Sequence, residues 1–238
     1  MNGVFLDNIK IHDSWRPFFI GRNMELLADI EASVKNNFTP GLDKALRFLC
    51  MDVNTIKIII LGQDPYPQAG AATGRAFEVA GLKKWNERFK QSSLRNILRN
   101  IHASYTPGGL KTLNEIREEI ESGEFLIAPP DKIFDAWQDK GVLCLNTAFT
   151  CAVDTPGSHA DIWRAFTVGL IGFIADKNKN IIWFLWGKYA LAYEKYLGGA
   201  KTYKCGHPML PGTGGDGFLN CKCFSETKHI VDWTGRIN

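Results

Sequence analysis

Long apolar runs are missing from this chain of 238 residues. None approaches the roughly 20 residues that a membrane-spanning helix needs, so no membrane partner is expected. The N-terminal segment MNGVFLDNIKIHDSW also lacks the basic stretch and apolar core of a secretory leader. The expectation is a soluble intracellular protein, cytoplasmic, or in the host nucleus or cytoplasm if the chain is viral. An excess of one charge is lacking too: 28 Lys+Arg stand against 25 Asp+Glu, for a net +3. Such a balance permits nucleic-acid binding without arguing for it. Internal repeats, low-complexity tracts and Pro/Gly/Ser linkers are absent, so one domain over residues 1–238 is expected, and a monomer. What remains, 45% hydrophobic and 22% charged residues, is ordinary for a globular protein with a sizeable core.

Cysteine is sparse: Cys50, Cys144, Cys151, Cys205, Cys221 and Cys223 are the whole set. In an intracellular chain these are expected as buried thiols. Cys205, His207, Cys221 and Cys223 could supply four zinc ligands, but zinc sites more usually space their cysteines by two to four residues. The expectation is no metal and no cofactor.

Four segments have strand character: Ile56 to Leu61, Val142 to Leu145, Ile181 to Trp186, and the short, polar Lys201 to Cys205. The first three are nearly continuous apolar runs, as in strands covered on both faces of a parallel sheet; the fourth suits an edge. Helical stripes lie between them. Leu27, Ile30 and Val34 form one; Leu94, Ile97, Leu98 and Ile101 form a second, with Ser93 placed as its N-cap; Ile162, Phe166, Leu170 and Phe173 form a third. Strands separated by helices imply a three-layer α/β/α domain around a mostly parallel four-stranded sheet. Residues 107–131, charged and bounded by Gly and Pro, are expected as a surface insertion with one short solvated helix and no chemistry.

Ligands of open parallel sheets bind beyond the carboxyl ends of the strands. Gly62-Gln63-Asp64-Pro65-Tyr66-Pro67 follows the first strand, Asn146-Thr147 the second, and His207-Pro208 the fourth. Taken singly, each is an ordinary turn or cap residue. Together they bring an acid, an amide and an imidazole to one edge.

GQDPYP resembles the water-activating motif of family 1 uracil-DNA glycosylases, GQDPY followed by His or Pro. The likeness continues in order along the chain. Ser14-Trp15-Arg16-Pro17-Phe18 is similar to SWxPF, Gly74-Arg75-Ala76-Phe77 to GLAF, and Ser92-Ser93-Leu94-Arg95-Asn96-Ile97 to PPSLxNI. Gly141 to Thr150 resembles GVLLLNTxLT, Gly157-Ser158-His159 the AHSH region, and Trp183 to Gly187 the FLLWG strand. His207-Pro208 opens a loop like HPSPLS, and Gly217, Phe218, Cys221 and Phe224 match GFFGCxHF.

The resemblance implies excision of uracil from single- and double-stranded DNA by hydrolysis, metal-free, leaving an abasic site. Asp64 would be the carboxylate facing the attacking water and the cationic sugar, and His207 a neutral imidazole donating to uracil O2. Asn146 would read the uracil edge, since an amide carries both the acceptor and the donor that N3–H and O4 require. Tyr66 would exclude a thymine methyl, Phe77 would stack on the flipped base, and Gln63 would contact it. His159 matches a family position without an assigned step. Ser92 and Ser93 would meet phosphate, with bare helix capping as the alternative. Pro208, Met209 and Leu210 would lie in the DNA-contact loop. A small acidic protein that mimics DNA is a second partner class the resemblance implies.

The DNA-contact segments depart from the family. HPMLPGTGG stands for HPSPLS, so Met209 replaces a serine, the leucine comes one place early at Leu210, and Pro211 holds its usual position. Gln91-Ser92 replaces the tandem prolines, and Arg75 the leucine of GLAF. Two other functions fit the same fold: a DNA-binding scaffold without catalysis, which an intact Asp64, Asn146 and His207 argues against, and a glycosylase for another base, which Tyr66 and Asn146 argue against.

Overall fold

The computed structural model describes residues 3–34, 37–210, 212 and 214–236. Helix α1 (Arg22–Ser33), the short strand β1 (Phe38–Thr39) and the one-turn α2 (Leu42–Ala45) lead to β2 (Ile58–Gly62). Helices α3 (Ser92–Tyr105), α4 (Leu113–Ser122) and α5 (Pro130–Asp139) precede β3 (Val142–Asn146) and the short β4 (Cys151–Ala152). Then follow α6 (Ala160–Lys177), β5 (Ile182–Trp186), α7 (Gly187–Leu191), β6 (Thr202–Cys205) and α8 (Cys223–Thr227).

The four strands β3-β2-β5-β6 form one sheet, and every pairing in it is parallel. The first three are buried along their whole length, as their continuous apolar sequences require, whereas β6 lies at the edge and is buried only at Cys205. Alternation of side chains splits the core into two. Ile59, Leu61, Leu143, Leu145, Trp183 and Leu185 face α1 and α6; Ile58, Ile60, Val142, Cys144, Phe184 and Trp186 face α3, α5 and α8. These are the three layers expected.

Register positions the site. Gly62 pairs with Asn146, Leu61 with Leu185, and Trp186 with Cys205. Asn146, Gly62, Trp186 and Cys205 therefore form one row across the carboxyl end of the sheet. Asp64 lies two residues beyond that row on β2, and His207 two residues beyond it on β6.

Several local expectations need correction. Ser93 is not an N-cap: Gln91 caps α3, and Ser93 is a buried residue of its first turn. Ile56 and Lys57 precede β2 rather than opening it. In α6 the buried face is centred on Trp163, Phe166, Thr167, Leu170, Ile171 and Ile174, and Ile162 and Phe173 flank it. The solvated-helix reading of residues 107–131 holds only in part. Helix α4 starts with a capping box between Thr112 and Glu115, yet Ile116 and Phe125 are buried in the core and Arg117 donates to the carbonyls of Trp85 and Glu87. The paired β1 and β4 have only two residues each, too few to show a period.

Candidate active site

The row at the carboxyl end is tightly drawn. A Cβ on Gly62 would lie 2.5 Å from Asn146 Oδ1 and 2.8 Å from Ala76 Cβ, so only glycine fits there. Asn146 is 4% exposed, and its side-chain amide hydrogen-bonds to no described residue. The residue is buried while its amide is left to pair with a ligand.

The Gln63–Pro67 loop is fixed through its backbone. Gln63 O accepts from the N–H groups of Thr147 and Ala148 and from the Thr147 hydroxyl, and Pro67 O accepts from Asp154 N–H. Asp64 Oδ2 accepts from Gly157 N–H at 2.6 Å. Burial raises the pKa of Asp64 above the ordinary 3.8, and the Gly157 hydrogen bond offsets part of that rise. Its other carboxylate oxygen has no partner among the described residues and can accept from a water.

Tyr66 lies beside the loop that carries Phe77, and its hydroxyl donates to Phe77 O at 3.4 Å. The Phe77 ring is half-buried, with centroids 5.4 Å from Trp186 and 6.1 Å from His207. Burial pushes the Tyr66 phenol up, so it stays protonated.

His207 follows β6. Its Nδ1 accepts from Met209 N–H at 3.1 Å, which places the hydrogen of the neutral ring on Nε2. Burial lowers its pKa below the ordinary 6.5, so the ring is neutral at pH near 7. Gly187, at φ +81°, has no Cβ where one would come 2.8 Å from His207 Cβ.

Helix α3 holds the loop that carries His207. Asn96 Nδ2 donates to Pro208 O at 2.7 Å, and Asn100 Nδ2 to Phe218 O at 2.7 Å and Cys221 O at 3.2 Å. Between these anchors Met209 and Leu210 are exposed, Leu210 to 69%. Pro211, the family's leucine position, lies outside the described residues. At the start of α3, Ser92 is half-buried and Ser93 buried, so Ser92 is the more accessible hydroxyl.

His159 N-caps α6 by position. Its Nδ1 meets Thr150 Oγ1 at 2.9 Å, and Trp163 Nε1 donates to the same oxygen. Cys205, Cys221 and Cys223 are free thiols, with Cys205 and Cys223 buried and Cys221 half-buried. Among the described residues no three or more His, Cys, Asp or Glu gather as metal ligands. Sequence reasoning quoted Gly157, Gly187 and Trp186 within motifs but gave these three residues no part in the site. The two glycines directly follow or flank site segments at positive φ, and such glycines are the legible signal.

No protein-family model matches the chain. It is 28% identical over 244 residues to the uracil-DNA glycosylase of Corynebacterium glutamicum, covering 97% of this chain and 92% of that one. With the uracil-DNA glycosylase of Coxiella burnetii (strain RSA 493 / Nine Mile phase I) it shares 33% identity over 185 residues, 76% of this chain and 69% of the relative. The chain belongs to the uracil-DNA glycosylase family. Its activity is the release of uracil from DNA by hydrolysis of the N-glycosidic bond, in base excision repair. Solved structures agree in fold. The wild-type UNG from Nitratifractor salsuginis superposes with a TM-score of 0.74 at 20% identity, over 98% of this chain and 96% of that one. A mimivirus UNG variant in complex with UGI gives 0.65 at 24%, over 87% and 73%.

The two pKa shifts bear on the pH dependence. On acidification Asp64 loses its charge at a pH above 3.8, and His207 gains charge at a pH below 6.5. Single-turnover uracil removal is therefore expected to fall on the acid side, with its acid limb at a pH above the ordinary carboxylate value of 3.8. A pH–rate profile whose acid limb lies at or below 3.8 contradicts this assignment.

Proposed function

We propose that the chain is a family 1 uracil-DNA glycosylase acting on single- and double-stranded DNA, with Asp64, Asn146 and His207 as its working groups. The observation that carries this reading is the meeting of a carboxylate, the amide of a buried asparagine that bonds to no described residue, and a neutral Nε2–H imidazole at one sheet edge, beside Tyr66 and Phe77.

Cleavage of deoxyuridine puts positive charge on the sugar and negative charge on the leaving uracil. Fixed groups aimed at both charges lower the barrier most. The Asp64 carboxylate, held by Gly157 N–H through one oxygen, offers the other to the attacking water and lies toward the cationic sugar. His207 Nε2–H donates to uracil O2 as the anion forms, and no proton need be transferred from the ring. Asn146 accepts from N3–H and donates to O4; cytosine presents the reverse pattern and would leave the buried amide unpaired. Tyr66 abuts C5, Phe77 stacks on the ring and Gln63 contacts the base. Ser92, with Ser93 beneath it, and the loop of Pro208, Met209 and Leu210 meet the DNA backbone. A DNA-mimicking inhibitor protein such as UGI would occupy the same face.

Uracil release from a single-stranded oligonucleotide tests this directly. Asp64→Asn should lower the single-turnover rate roughly a hundredfold to a thousandfold, as loss of one electrostatic stabiliser does, while binding to uracil-containing DNA is kept. Near-normal cleavage overturns the role of Asp64.

Leu210 is a large apolar side chain held in solvent beside the catalytic imidazole, which suits it to fill the gap left by a flipped base. Unstacking costs a few kcal/mol in a duplex and little in a single strand. Leu210→Ala should therefore depress uracil removal from duplex DNA much more than from single-stranded DNA. An unchanged duplex-to-single-strand activity ratio in both Leu210→Ala and Met209→Ala means another element opens the duplex.

A further inference from the structure

Arg75 is the buried cation of the loop that carries Phe77. Its side chain is 7% exposed and fully engaged. Nη1 meets Glu78 Oε1 at 3.1 Å, Nη2 meets Asp135 Oδ1 at 2.7 Å, and both Nε and Nη2 donate to Gln138 Oε1, at 3.1 and 2.8 Å. The Thr73 hydroxyl donates to Glu78 Oε2 at 2.5 Å. Arg47 closes the network, 3.6 Å from Glu78, 3.7 Å from Asp135, and donating to Thr73 O at 3.4 Å. Two arginines thus balance two carboxylates. Asp135 and Gln138 belong to α5, so the network ties the loop to a rigid helix.

Phe77 lies between Arg75 and Glu78 with φ +68°, a left-handed conformation that side-chain-bearing residues other than Asn and Asp seldom adopt. Such a backbone persists only where its surroundings over-determine it. Every neighbour is fixed: Ala76 N–H donates to Cys144 O on β3, Ala80 N–H to Ala71 O, and Ala72 pairs with Val79. The backbone of Gly74 fits so closely that a Cβ would come 2.0 Å from Lys44 O.

We propose that Arg75, with Glu78, Asp135 and Gln138, is a positioning residue: it holds Phe77 in its strained conformation, so that the uracil-stacking ring is in place before the base arrives. This rests on the stacking role given to Phe77 above. An apolar residue at position 75 could fill the space but could not join the loop to α5. Arg75 touches no substrate, and its influence passes through Phe77 alone.

A double-mutant cycle separates positioning from bulk stability. Arg75→Met, Phe77→Ala and the double variant are compared for inhibition by free uracil, for single-turnover release of uracil from single-stranded DNA, and for thermal unfolding. Arg75→Met should weaken uracil inhibition and slow release by about tenfold, and this loss should vanish once Phe77 is alanine, because coupled residues are non-additive. Arg75→Lys, which keeps the charge without the fork, should recover only part of the loss. If Arg75→Met does not fold, Asp135→Asn, at a side chain 52% exposed, takes its place in the same cycle, with a smaller loss that again disappears beside Phe77→Ala. Losses that add in the double variant, or that follow the unfolding temperature alone, overturn the proposal. No effect of Phe77→Ala by itself would instead remove the stacking role on which it rests.

Discussion

The closeness of β2 to its surroundings at Gly62 is the constraint on which the rest depends. In a parallel sheet, register decides which residues end level with one another, and here Asn146, Gly62, Trp186 and Cys205 end in one row. Because Gly62 has no side chain, the Asn146 amide and Ala76 can close over it, and Phe77 lies against them. The same absence of a Cβ at Gly187 lets His207 approach the end of β5. The pocket is assembled from backbone approach first and side-chain chemistry second. That order matters, since catalytic groups held in place by a rigid sheet need no reorganisation when the base enters.

Burial then acts in opposite senses on the two titratable groups. It makes ionised Asp64 costly, and a single backbone N–H, from Gly157, offsets part of that cost. It makes a charged His207 costly, which keeps the imidazole neutral, while Met209 N–H selects the tautomer with hydrogen on Nε2. One environment thereby favours a neutral imidazole and tolerates one anion, the pair of charge states that the proposed mechanism uses. Farther out, Asn96 and Asn100 on α3 grip both flanks of the loop between Cys205 and Cys221, so its exposed tip extends from fixed ends.

Much of this was legible in the sequence for specific reasons. The continuous apolar runs of β2, β3 and β5 identify strands covered on both faces, and the polar KTYKC marks the edge. GQDPYP, Asn146 and His207 stand at or just beyond the ends of strands, so their meeting at one sheet edge was legible before any geometry. The remainder depended on contacts distant in sequence. Ser93 has the right chemistry for an N-cap, but α3 starts earlier and buries it. Residues 107–131 have a charged sequence that hides how Ile116 and Phe125 anchor them. Arg75 stood out only as a departure from GLAF; that it joins Phe77 to α5 depends on Asp135 and Gln138, some sixty residues away.

The central claim is that the uracil pocket is set by backbone approach at the end of β2. Gly62→Ala tests it most directly, because the new methyl would press on Asn146 and Ala76 while leaving Asp64, Asn146 and His207 themselves unchanged. Uracil release from single-stranded DNA is measured beside thermal unfolding of the same variant. The account predicts a folded protein slowed by about a hundredfold, the scale of loss that a displacement near 1 Å produces. A folded Gly62→Ala variant that releases uracil at the wild-type rate would contradict it.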